Sequence, residues 1–234
     1  MLIDNLPAVE AKIAAALQKR KESKVTGNKV VLVAVTKNHP AQVVTEALSA
    51  GLTDVGENRV QEAKHKKTVL PEGGIWHLIG HLQTNKVKQA VEIFDIIESV
   101  DSEKVLQHIS KEAKALGKVQ DILLQVNVAR EEQKSGLLQE DFLAVLPKLS
   151  SYENIRVRGL MVIAQATDNV EETRPVFAQG YQDFLLLQKQ FGPEHCNILS
   201  MGMTHDYWIA IEEGANYIRL GTALFGPRDY SQKF

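Results

Sequence analysis

The sequence predicts an α/β fold, a single closed (β/α)8 TIM barrel with one additional helix at its amino terminus. Three observations carry this expectation. Eight short strand-like stretches alternate with segments that read as helices. The chain has 234 residues, 44% of them hydrophobic, which suits one barrel with one core. No linker, low-complexity tract or repeat divides it. The expected organisation is one domain over residues 1–234, with an N-terminal helix and connection at 1–28 and the barrel at 29–234.

Leu2, Ile3, Leu6, Val9, Ile13, Ala16 and Leu17 recur at helical spacing, so an amphipathic helix precedes the barrel and is expected to cover one of its mouths. The first strand runs from Val30 to Lys37, and its helix from Pro40 to Ala50 ends at Gly51. Strand two is Thr53 to Asn58, followed by a charged helix from Arg59 to Val69. Strand three is Ile75 to Gly80, and its helix carries Val87, Ala90, Val91 and Phe94. Strand four is Ile96 to Val100; Asp101 or Ser102 caps a helix through Val105, Leu106, Ile109 and Leu116, closed by Gly117. Strand five, Asp121 to Val128, leads into a loop from Ala129 to Gly136 and a helix from Gln139 to Leu149. Strand six, Val157 to Ala164, precedes the longest helix, Val170 to Phe191. Strand seven is Asn197 to Met201, with a helix from near His205 to Gly214. Strand eight is Tyr217 to Leu220, with a helical turn at Thr222 to Phe225.

Net charge is −2 with a pI of about 6.4, and acids and bases are interspersed, so a polyanion surface is not expected and nucleic acid is not a partner. The single cysteine, Cys196, excludes an internal disulfide or a multi-cysteine metal site and reads as a small buried residue. The amino terminus lacks the pattern of a leader, and no apolar run is long enough to span a bilayer. A cytoplasmic protein with no membrane contact is expected.

Barrels of this class build their sites at the carboxyl ends of the strands, often with a phosphate held by the loops after strands seven and eight. The first strand delivers Lys37 to that end, where contact with apolar surface makes an amine a better nucleophile toward carbonyls. Strand seven leads into Ser200-Met201-Gly202-Met203-Thr204-His205-Asp206, and strand eight into Gly221-Thr222. Glycines admit an anion close to the backbone and the hydroxyls add donors, so the two loops suggest a phosphate cup. Strand alternation turns Arg219 into the barrel mouth, where it meets either a ligand or an acid such as Glu57. A lysine for a carbonyl, a cup for a phosphate and an arginine between them fit pyridoxal 5'-phosphate. Lys37 would form the internal aldimine and Arg219 would donate to the ring nitrogen.

The same residues carry a resemblance. Ala34-Val35-Thr36-Lys37, Gly56-Glu57-Asn58, Trp76 through Lys86 (WHLIGHLQTNK), Arg158-Gly159-Leu160-Met161, Leu199 through Met203 and Ile218-Arg219-Leu220-Gly221 resemble the pyridoxal phosphate homeostasis proteins in six ordered motifs. That family looks like the barrel half of a bacterial alanine racemase. The resemblance implies Lys37 as the Schiff-base lysine and Arg219 at the ring nitrogen. It further implies Ser200, Gly202, Thr204, Gly221 and Thr222 around the phosphate, with Asn58 and Met161 near the ring. Leu78 stands where a Phe or Met is usual, and Thr204 where a Ser is commoner.

A permanently charged arginine at the ring nitrogen weakens the cofactor as an electron sink. The related racemases take a tyrosine from a second domain, for which a chain ending at Phe234 leaves no length. The expectation is therefore a protein that binds the cofactor for storage or delivery, with transient contacts to pyridoxal phosphate-dependent enzymes, and with a monomer as its resting state. Two alternatives stay open. One is a weak racemase or decarboxylase using His39, His77, His81 or Tyr207 as base, and the other is a Schiff-base aldolase acting on a sugar phosphate. His77 and His81 do not share a helical face, so no metal site is expected, and His77 reads as a hydrogen-bonded core residue. Lys64-His65-Lys66-Lys67 reads as a solvated helix face, and Arg130 to Gly136 as a lid.

Overall fold

The computed structural model describes residues 2–70, 73–131 and 133–226, without the side chain of Ile3. Eight strands form a closed parallel barrel in sequence order: β1 Val31–Val35, β2 Asp54–Glu57, β3 Ile75–Leu78, β4 Ile96–Val100, β5 Gln120–Val126, β6 Ile155–Val162, β7 Ile198–Met201 and β8 Tyr217–Leu220. Val33 is in register with Asp54 on one side and Arg219 on the other, which closes β8 onto β1. Around the barrel run α2 Gln42–Ser49, α3 Val60–Val69, α4 Val87–Ile93, α5 Glu103–Ala115, α6 Gln139–Val145, α7 Arg174–Phe191, α8 Tyr207–Glu212 and α9 Thr222–Phe225, after the N-terminal α1 Leu2–Gln18. The expected order of elements is the observed one, with differences at their ends. α5 is capped by Ser102, whose Oγ accepts from Val105 N at 3.3 Å. The helix expected from Val170 begins as a 3-10 segment, Val170–Thr173, before α7, and the one from Gln139 finishes as another, Leu146–Ser151.

α1 does not cover a mouth of the barrel. It lies on the outer layer against α8 and α9, with Leu2, Val9 and Ala16 buried. Asn5 Nδ2 donates to Leu224 O at 2.8 Å at one end, and Arg20 donates to Ile211 O at 2.8 Å and Ala215 O at 2.9 Å at the other. The reason is length. α8 has six residues and α9 four, spanning only about 9 and 6 Å, which leaves β7 and β8 undercovered. The extra helix supplies the missing apolar face.

Two layers of packing result. Leu, Ile, Val and Phe side chains fill the space between strands and helices, and a smaller plug of Ile96, Leu123, Met161 and Ile198 fills the barrel interior. At Gly159 the backbones of β6 and β7 leave no room for a side chain. A Cβ there would stand 1.8 Å from Ile198 O, so no other residue fits without separating the strands. No helix among the described residues is long and apolar enough to cross a membrane.

Candidate functional site

β1 stops at Val35, two residues short of the lysine. Thr36 N still donates to Gly56 O at 3.1 Å, and then Asn38, at a φ of 59°, turns the chain away. Lys37 thus sits half-buried in a turn at the carboxyl end of β1. That turn is clamped from below by residues of β2 and α3. Lys66 Nζ donates to Thr36 O at 2.7 Å, to Glu57 Oε1 at 2.7 Å and to Glu62 Oε1 at 2.8 Å. Thr36 Oγ1 also donates to Glu57 Oε1 at 2.6 Å, and Asn38 N to Glu62 Oε1 at 2.6 Å. Thr36 is held by Lys66 and Glu57 and Asn38 by Glu62, which Lys66 joins into one cluster, so the backbone direction at Lys37 is fixed before any ligand arrives. Burial drives the Glu57 carboxyl up to about 7 against the opposing pull of Lys66.

Lys66→Met removes the ammonium that bridges Thr36, Glu57 and Glu62. Glu57 can then neutralise itself by taking up a proton, so the expected cost is about 2 kcal/mol rather than that of a stranded charge. Chemical denaturation of wild type and variant measures it.

The loops after β7 and β8 meet beside this turn. Gly202 has a φ of 91°, and a Cβ there would lie 2.7 Å from Tyr207 Cα, so only glycine lets the loop lie flat on α8. Thr204 Oγ1 accepts from Ala223 N at 3.2 Å and ties the two loops together. A Cβ on Gly221 would meet Val35 O at 3.3 Å, and the Phe225 ring lies 5.5 Å from that of His39. Lys37, Gly202, Thr204, Gly221 and Thr222 therefore converge on one rim. Asn58 stands at the end of β2, its backbone against Gly80, and lines a neighbouring cleft of about 300 Å³ with His81 and Lys86.

Arg219, Ser200 and Met161 lie deeper. Arg219 is 3% exposed; its Nη1 donates to Ser200 Oγ at 2.6 Å and its Nη2 to Val162 O at 3.0 Å. Ser200 Oγ in turn donates to Glu98 Oε2 at 2.6 Å. The acid beside Arg219 is Glu98, 3.9 Å away, and not Glu57, which Lys66 has taken. The Ser200 hydroxyl is spent on these two partners rather than presented to the loop. Met161 is fully buried in the interior plug.

The family model described as alanine racemase, N-terminal domain, matches residues 9–229. The pyridoxal phosphate homeostasis protein of Pseudomonas aeruginosa is 40% identical over 230 residues, covering 98% of this chain and 96% of that protein. The chain belongs to the pyridoxal phosphate homeostasis proteins. The homeostasis protein of Escherichia coli is 33% identical over 233 residues, covering 98% of this chain and 97% of that one. The structure of PipY from Synechococcus elongatus with PLP bound superposes with a TM-score of 0.81 at 39% identity, covering 97% of this chain and all of that one. An alanine racemase of Clostridium difficile shares the fold at a TM-score of 0.70 and 16% identity, over 96% of this chain and 59% of the racemase.

Several polar residues of this homeostasis protein were not singled out by sequence. Asp54 opens β2 and Glu98 stands in the middle of β4, and they are 2% and 0% exposed. An acid within Ile96-Ile97-Glu98 is the signal that a core strand holds a charge. His77 is the hydrogen-bonded core residue expected, with Nε2 donating to Asp54 Oδ1 at 2.9 Å and Nδ1 to Glu98 Oε1 at 2.7 Å. Lys66 corrects the reading of residues 64–67 as a solvated face. It is buried while Lys64, His65 and Lys67 are exposed, because it follows Ala63 by one helical turn on the inner side. Of the loop expected as a lid, Glu132 lies outside the described residues. Its neighbours are tied to the rim, Gln125 Nε2 donating to Ser135 O at 2.8 Å and Asn127 Nδ2 to Glu131 O at 2.8 Å. Cys196 is buried, and burial pushes its thiol up to about 12, which makes it unreactive.

The titration of His77 has a consequence for stability. Burial alone would lower its pKa, but hydrogen bonds and charge from Asp54 and Glu98 raise it to about 9. A base with a raised folded-state pKa stabilises fully below its unfolded value near 6.5 and loses that contribution as pH rises through about 9. Wild type is thus expected to lose on the order of 3 kcal/mol between pH 7 and 10 that His77→Gln does not lose. Denaturant midpoints of both proteins across that range check the sign.

Proposed function

We propose that this homeostasis protein binds pyridoxal 5'-phosphate through the Lys37 amine and holds it for storage or delivery within vitamin B6 homeostasis. When bound, the cofactor supplies an aldehyde and a conjugated ring that absorbs visible light. The donor set fits such a group. Lys37 follows β1 at the same end of the barrel as the loops after β7 and β8, the first loop lies so close on α8 that Gly202 tolerates no Cβ, and Thr204 Oγ1 ties the two loops together by accepting from Ala223 N. Gly202, Thr204, Gly221 and Thr222 would hold the phosphate. Arg219 would donate to the ring nitrogen, with Asn58 and Met161 beside the ring and Ser200 acting through Arg219.

The observation that carries the reading is the Arg219 guanidinium, immobilised by Ser200 and Val162 on the strand next to the one that leads into Lys37. A cation that cannot deprotonate keeps a facing ring nitrogen unprotonated, which opposes carbanion stabilisation and favours holding over turnover. The resting protein is read as a cytoplasmic monomer that meets pyridoxal phosphate-dependent enzymes transiently. The support is the balanced surface charge, the lone buried thiol and the named relatives.

Isotope exchange at the α-carbon of amino acids separates holding from catalysis. No exchange above the free cofactor is expected, and exchange abolished by Lys37→Ala would establish an enzyme instead.

A further inference from the structure

The interior of a parallel barrel is ordinarily filled by layers of branched apolar side chains. Here part of it is a continuous polar chain crossing from β2 to β8. Asp54 accepts from His77 at 2.9 Å, His77 donates to Glu98 at 2.7 Å, Glu98 accepts from Ser200 at 2.6 Å, and Ser200 accepts from Arg219 at 2.6 Å. All five residues are buried. With both ring nitrogens donating to carboxylates, His77 is an imidazolium, and the chain alternates anion, cation, anion, hydroxyl, cation. Each link leaves little freedom. The two Glu98 oxygens have separate partners, and the Ser200 hydroxyl, donating to Glu98, has only lone pairs left for Arg219. Asp54 is anchored at its far end by Thr53 Oγ1 at 2.6 Å.

Such a network is not the cheapest way to fill a core, since apolar residues of similar volume are commonly as stabilising or more so. Features that break the local packing rule usually serve a site. The Arg219 end of this chain meets the rim, where Arg219 N donates to Gly202 O at 3.0 Å. We infer that His77 is a positioning residue for Arg219: held between Asp54 and Glu98, it fixes Glu98 and Ser200 beneath the guanidinium, and so sets the orientation and charge that Arg219 offers to the bound ring. The inference rests on the reading of Arg219 as the partner of the ring nitrogen. It adds the buried residues Asp54, His77 and Glu98, on β2, β3 and β4, to the set that tunes the ring.

The visible band of the cofactor-loaded protein reports on the ring environment, which a merely structural role of His77 would not move. Four variants are loaded with pyridoxal phosphate and their spectra compared, with circular dichroism as the check of folding. Arg219→Gln sets the direction of the shift expected when the guanidinium is lost. His77→Gln removes the central charge, and Ser200→Ala cuts the bridge without removing a charge. Both are expected to move the band in that direction and to weaken retention about tenfold, the loss of a hydrogen bond to a charged group. Thr222→Ala, at the cup, is expected to weaken retention without moving the band. If Arg219→Gln shifts the band while folded His77→Gln and Ser200→Ala keep the wild-type one, the inference is overturned and the reading of Arg219 stands. If Arg219→Gln itself keeps the wild-type band, that reading falls and takes the inference with it. Should His77→Gln not fold, Ser200→Ala decides by the same criterion.

Discussion

Arg219→Met is expected to lower the thermal midpoint by roughly 10 °C. The substitution keeps most of the volume but removes the cation facing Glu98. Proton uptake by Glu98 would relieve the loss, but of the groups that oppose it His77 survives the substitution while Arg219 does not. Burial favours such uptake, but the hydrogen bond and charge of His77 hold the Glu98 carboxyl below the ordinary range. The variant is left with a buried hydroxyl and a carbonyl that have lost their donor, and with an interior that carries excess negative charge. Removing one partner of such a buried set costs about 3–5 kcal/mol, and in a chain of this size each kcal/mol moves the midpoint by about 2–4 °C. A fall of less than about 2 °C in a calorimetric scan would show that the guanidinium contributes nothing to the core.

Lys37→Ala is expected to have the opposite profile. The lysine lies beyond the end of β1, half-buried in a turn whose shape is set by Thr36, Asn38 and the cluster around Lys66. Truncating it should leave stability within about 1 kcal/mol of wild type. Retention of pyridoxal phosphate should fall by at least about a hundredfold, equivalent to about 2.7 kcal/mol, because the phosphate and ring contacts remain but the covalent bond cannot form. Equilibrium dialysis measures it. The two variants together separate a residue that holds the fold from one that holds the ligand.

The barrel was legible because short apolar stretches alternate with segments of helical periodicity, with punctuation such as Ser102 ahead of α5. Rim residues were legible for the same reason. Once the strand ends are known, Lys37, Gly202, Thr204 and Gly221 fall on the same face whatever their side chains do. What the sequence does not carry is pairing in depth. Glu57 and Glu98 are both acids in core strands, and nothing local says that the first belongs to Lys66 and the second to His77 and Arg219. Partner choice there depends on which strands adjoin in the closed barrel. Ser200 illustrates the same limit, since its position near a glycine loop suggests a phosphate ligand while strand alternation turns its hydroxyl inward to Glu98 and Arg219. The placement of α1 was missed because it answers a shortfall in α8 and α9 that no property of α1 itself reveals.

The most direct test is the visible spectrum of the wild-type protein incubated with pyridoxal phosphate, followed by borohydride reduction and mass mapping of the modified peptide. A yellow band that reduction bleaches, leaving one cofactor fixed on the peptide that contains Lys37, is the expected result. A protein that stays colourless, or a label spread over surface lysines such as Lys64 and Lys67, would contradict the account.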